Sequence, residues 1–63
     1  MFKFKPGDEV VRDDGALGTV LYIRPWPELL VVCDFRRRPG SPIVWQEGVL
    51  DERLSLTGGQ KEV

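Results

Sequence analysis

Apolar residues in this chain fall into short runs separated by glycine, proline and acidic residues, and nowhere do they recur at the three-and-four spacing of an amphipathic helix. The pattern predicts strands. Glu9-Val10-Val11-Arg12 reads as a first strand, bounded by the turn signals Pro6-Gly7-Asp8 and Asp13-Asp14-Gly15. Residues 18–24 are rich in β-branched and aromatic side chains and predict a second, longest strand, with Val20 and Tyr22 on one face. Pro25-Trp26-Pro27 ends it, because proline donates nothing to a sheet ladder and holds the residue before it extended. Residues 29–35 are apolar on both faces for most of their length, as in a central strand covered on both sides.

The polar stretch from Arg36 to Pro42 predicts a loop, and Ile43-Val44-Trp45-Gln46 a fourth strand. Residues 47–51, interrupted by Gly48, predict a single 3₁₀ turn. Residues 53–56 give a fifth strand with Leu54 and Leu56 on one face. Ahead of all five, Phe2 and Phe4 alternate with lysines as a lead-in across the fold. Five short strands in one open layer would leave exposed edges, and closure into a barrel removes them. The expected interior is Val10, Val20, Tyr22, Val31, Cys33, Val44, Leu50 and Leu54. The domain is expected over residues 1–56, with residues 57–63, carrying two adjacent glycines, as a disordered tail.

Composition narrows the function classes. At 63 residues, 41% hydrophobic and 30% charged, the chain is one small globular domain. One cysteine and no histidine leave neither a disulfide nor a Cys/His zinc site within a single chain. Lack of histidine also removes the commonest general base, so no enzyme activity, metal or cofactor is expected. Nine basic against ten acidic residues give a net charge of -1 and no global pull toward nucleic acid or anionic lipid. The longest apolar run, residues 29–33, is far short of the roughly 20 residues of a membrane span. The N-terminal residues lack a secretory pattern, so a cytoplasmic location is expected.

Phe4-Lys5-Pro6-Gly7-Asp8-Glu9-Val10-Val11-Arg12, followed by Asp14-Gly15 and Gly18-Thr19-Val20, resembles the F-x-x-G-D-x-V-x opening of many SH3-like barrels. Among these are KOW-type modules and small bacterial barrels, and Val32-Cys33-Asp34-Phe35, Trp45 and residues 50–54 extend the likeness over nearly the whole chain. It implies an all-β, five-stranded SH3-like barrel with a 3₁₀ turn before the last strand, a fold that hosts unrelated activities. A more distant resemblance is to the plasmid-encoded type II dihydrofolate reductases, tetramers of such barrels with a shared central pore. Gly40-Ser41-Pro42-Ile43-Val44-Trp45 falls where their pore strand lies. Ile43 then stands where that family has its essential glutamine and Trp45 where it has tyrosine, so the polar contact is missing.

Arg36, Arg37 and Arg38 are the sharpest charge feature, and guanidinium suits bidentate capture of phosphate or carboxylate. The plainer expectation is a solvated loop, or pairing with Asp34 and Glu47; Asp8, Glu9, Asp13 and Asp14 put negative charge where KOW modules that bind RNA tend to be basic. Trp26 is expected either to contact a partner or to fold over the barrel end. Trp45 is expected to pack, against Phe35, or to join Tyr22 or Phe35 in an aromatic pocket. If Val31 and Cys33 point inward, Leu30 and Val32 point out and predict self-association, unless Phe2 and Phe4 cover them. Cys33 reads as a small buried hydrophobe. The leading expectation is a protein-binding module using Trp26, Arg36, Arg37, Arg38 and Trp45, with a KOW-type nucleic-acid binder and an oligomeric reductase as alternatives.

Overall fold

The chain is cut into strands by its turns. At the first hairpin Gly15 takes φ +95°, and Gly15 N–H donates to the Arg12 carbonyl while Arg12 N–H donates to Ala16. A side chain at Gly15 would be strained in that conformation. In the computed structural model, which describes residues 2–57, five strands result: β1 Glu9–Arg12, β2 Leu17–Arg24, β3 Leu30–Arg36, β4 Trp45–Val49 and β5 Leu54–Leu56. A 3₁₀ turn over Asp51–Arg53 precedes β5. The strands form one antiparallel sheet in the order β4-β3-β2-β1-β5. No helix among the described residues is long and apolar enough to cross a membrane. The tail expected over residues 57–63 lies, apart from Thr57, outside the described residues; Thr57 N–H donates to Glu9 and prolongs the β1–β5 pairing.

The sheet is strongly curled. Among the described residues there is no second layer, yet Val10, Val20, Cys33 and Phe35 on one face are fully buried, and Arg12 of β1 meets Glu47 of β4 across that face at 2.8 Å. The concave face holds the core: Phe4, Val10, Ala16, Val20, Val31, Cys33, Phe35, Val49 and Leu54. Each fully buried Val, Leu or Phe contributes about 1.5–3 kcal/mol relative to an exposed one.

Three expected interior residues lie elsewhere, each for a reason of register. Val20 pairs with Cys33 but Tyr22 pairs with Val32, so Leu21 is an extra residue that shifts the register within β2. Beyond it the faces exchange: Tyr22 is 53% exposed, and Ile23, opposite Val31, packs against the core instead. β4 starts and ends later than expected, running through Gly48 rather than stopping at Gln46. Val44 therefore precedes the strand and is exposed, Leu50 follows it half-buried, and Val49 takes the inward position opposite Val31. Leu56 shares its face with Leu54 but lies at the margin, 46% exposed. Phe4 joins the core rather than covering the convex face of β3, and Phe2 is exposed.

Two strand glycines make room for neighbours in different ways. A Cβ on Gly18 would come within 2.8 Å of Phe35 Cε1 and 3.3 Å of Cys33 Cβ, so the phenyl ring lies where a side chain would be. A Cβ on Gly48 would meet Leu30 Cδ1 at 3.2 Å, the far end of a half-buried flexible side chain. Gly18→Ala is expected to destabilise the fold by about 1–3 kcal/mol through displacement of Phe35, and Gly48→Ala by well under about 1 kcal/mol. Urea unfolding of the two variants checks this; equal losses would contradict the assignment of Gly18 to a close approach.

Candidate binding site

Strand alternation turns Arg12 inward, because it shares a face with fully buried Val10. A guanidinium on the concave face needs partners, and the chain supplies them. Arg12 donates from Nε and Nη2 to the two carboxylate oxygens of Asp14, at 3.0 and 2.8 Å, and from Nη1 to Glu47 Oε1 at 2.8 Å. Its side chain is only 11% exposed. The planar group also lies over Phe35, 4.9 Å from the ring centroid, and 5.6 Å from the centroid of Trp45. Phe35 and Trp45, cross-strand neighbours on β3 and β4, stack at 5.4 Å with planes 22° apart, as expected for Trp45. The Trp45 indole N–H donates to the same Glu47 oxygen at 2.8 Å.

On this aromatic pair stands a second guanidinium. Arg37, just past the end of β3, places its Cζ 5.3 Å from the Trp45 centroid. Arg12, Asp14, Gly15, Ala16, Arg37 and Trp45 together line an open cleft of about 140 Å³. Asp34 accepts from Gln46, and Glu47 from Arg12 and Trp45, so neither expected acid pairs with the arginine loop. Among the described residues no carboxylate lies within ion-pair distance of Arg36, Arg37 or Arg38. The three do not form one patch. Alternation sends Arg36, opposite Leu17, to the convex side; Arg38 belongs to the Arg38-Pro39-Gly40-Ser41 turn, whose Ser41 N–H donates to the Arg38 carbonyl at 3.1 Å.

Trp26 is separated from this cluster. It sits in the β2–β3 loop, at the opposite end of a strand whose six steps cover roughly 20 Å, and is 79% exposed, so it does not fold over the core. The convex stripe is narrower than the sequence pattern predicts: Val32 is only 9% exposed and Leu30 half-buried, with Leu30 filling the space beside Gly48. Cys33 is fully buried, and burial, with a smaller push from Asp34, raises its thiol to about 11. Arg12 is the member of the site that run-by-run reading missed. Its signal was the inward parity with Val10, followed at once by Asp13-Asp14. Comparison with protein-family models, curated protein sequences and solved structures yields no match for this chain.

The acids around the site are held in their charged forms. Asp14 is lowered to about 2 by its hydrogen bonds from Arg12 and then from the Ala16 N–H. Glu47 is lowered by the Trp45 indole and then by Arg12, Asp13 by Arg53, and Asp8, against the effect of burial, by Lys5. For carboxylates whose folded pKa is depressed, the stabilisation is complete above the ordinary range and is lost as pH falls through the folded values. The melting midpoint is therefore expected to hold between about pH 7 and pH 5 and to fall between about pH 4 and pH 2, with Asp14→Asn shallower at the acid end. Thermal melts followed by circular dichroism measure this. A midpoint that does not move on acidification would contradict the pairing described.

Proposed function

We propose that this chain is an SH3-like barrel acting as a non-catalytic protein-binding module, with its partner docking at the end of the sheet where Arg37 stands over Trp45. The observation that carries this reading is the cleft itself: a half-buried tryptophan, a guanidinium with no carboxylate partner among the described residues, and room for one side chain. Tryptophan and arginine are the residue types most enriched where binding energy concentrates. The barrel class is supported by strand order and curl. The first half of β2 pairs with β1, its second half, beyond the shift at Leu21, continues with β3 alone, and Arg12 bridges to β4 across the concave side.

The non-catalytic reading is supported by the pairing of the acids around the cleft, Asp14 and Glu47 with Arg12 and Asp13 with Arg53. The reductase alternative is weakened by Ile43, an apolar side chain 49% exposed at the position where that family uses an amide. The nucleic-acid alternative gains from the pairing of Asp13 and Asp14 with Arg53 and Arg12, which offsets their negative field. It loses more from the divergence of the three arginines, of which Arg36 lies on the convex side. Self-association through Leu30 and Val32 draws no support from their burial.

Selection from an unbiased displayed peptide library, followed by backbone-amide chemical shift mapping, tests the proposal. Enriched peptides are expected to shift Gly15, Ala16, Arg37 and Trp45, and binding is expected to fall roughly tenfold or more in Trp45→Ala, as for loss of a central interface anchor. Failure to enrich any peptide, or shifts confined to the Trp26 loop, would overturn it.

A further inference from the structure

Two guanidinium groups lie close to the Trp45 ring and differ in one respect. Arg12 receives two carboxylates from the chain, Asp14 through both oxygens and Glu47 through one. Arg37, at much the same distance from the ring, receives none among the described residues. The other acids in ion pairs are also taken, Asp8 by Lys5 and Asp13 by Arg53. Among the described residues, then, Arg37 stands beside the cleft without an acid of its own. A guanidinium resting on an aromatic ring still presents N–H donors to a carboxylate, in the fork geometry that carboxylate fits.

We infer that the segment docking at this cleft is acidic, with the carboxylate of one aspartate or glutamate taken by Arg37 and its methylene stem laid on Trp45. This deepens the protein-binding reading and rests on it. The cleft volume of about 140 Å³ suits a single side chain rather than a folded surface. Arg38, in the adjoining turn, adds long-range attraction for neighbouring acids in the segment. A nucleic-acid backbone fits less well, because it presents evenly spaced phosphates to which arginines on opposite faces of the sheet cannot all turn.

The test is fluorescence anisotropy with a short labelled peptide in which glutamate alternates with leucine, against the same peptide carrying glutamine. The glutamate peptide is expected to bind more tightly by roughly tenfold or more, the range for a charge-assisted hydrogen-bonded pair, and to weaken as salt is raised. Arg37→Gln is expected to abolish that preference and Arg37→Lys to retain part of it; Arg24→Gln, at the far end of the sheet, is expected to retain it fully. Melting midpoints of the Arg37 variants should stay close to the parent, since Arg37 makes no ion pair within the described chain and its contact with the Trp45 ring is worth about 1 kcal/mol or less. Equal binding of the two peptides, an unchanged preference in Arg37→Gln, or tighter binding of a single-stranded oligonucleotide at the same salt would overturn the inference. If the unbiased library yields peptides without acids that still shift the cleft, the acidic specificity fails while protein binding stands; if neither experiment yields binding, both fail.

Discussion

The concave end of this sheet is organised by one cation, Arg12, whose side chain is largely covered. Arg12 occupies an inward position where an aliphatic residue would ordinarily continue the core, and its charge is tolerated because Asp14 and Glu47 approach it from the hairpin turn and from β4. Those two acids lie on segments distant in the sheet order, so the guanidinium acts as a brace across the curl as well as a packing surface for Phe35. The tight hairpin matters here too, because Gly15 lets the chain reverse quickly enough to bring Asp14 back over the side chain two residues before it. Sequence, turn geometry and electrostatics converge on the same place.

Next to the brace, packing depends on what is absent. Phe35 fits fully buried because Gly18 has no side chain, and its outer side is closed by Trp45 and Arg12. The irregularity at Leu21 then lets β2 follow two directions of curvature, presenting Val20 to the core on one side of the shift and Ile23 on the other. Extra residues in a strand increase local twist and bend it, which suits a strand shared between the two arms of a curled sheet.

The first hairpin was legible from residues alone: β1 spans the expected 9–12, because Pro6-Gly7 and Asp14-Gly15 punctuate it on both sides. β4 was not, because Glu47-Gly48 carries a turn signal that tertiary packing overrides, with Leu30 and Val32 filling the space beside the glycine. The shift at Leu21 left no mark either, since Thr-Val-Leu-Tyr-Ile reads as strand in either register. Of the site, the contact of Trp45 with Phe35 followed from their strand positions, and the reach of Arg37 over the same ring did not. Trp26 and the arginine loop were grouped because both looked exposed; antiparallel connectivity puts the β2–β3 and β3–β4 loops at opposite ends.

That separation bears on which end of the sheet is specialised. A charge covered as far as Arg12 is rarely the most stable filling for its volume; well-packed apolar residues of similar size often serve as well or better. An aliphatic side chain at Arg12 would leave Asp14 and Glu47, already about half exposed, without the cation between them. Keeping the guanidinium instead holds the rings in fixed orientation, draws the acidic hairpin over them and leaves a shaped opening beside Arg37. Departures from the simplest stable solution concentrate where a protein does its work. The Trp26 loop contains no such arrangement: Leu29 packs against the core but the Trp26 side chain is exposed, and the polar contact described there is a single 3.5 Å hydrogen bond from Arg24 to the Glu28 carbonyl. An exposed aromatic without such neighbours loses side-chain freedom when a partner covers it, whereas Trp45 already packs against Phe35.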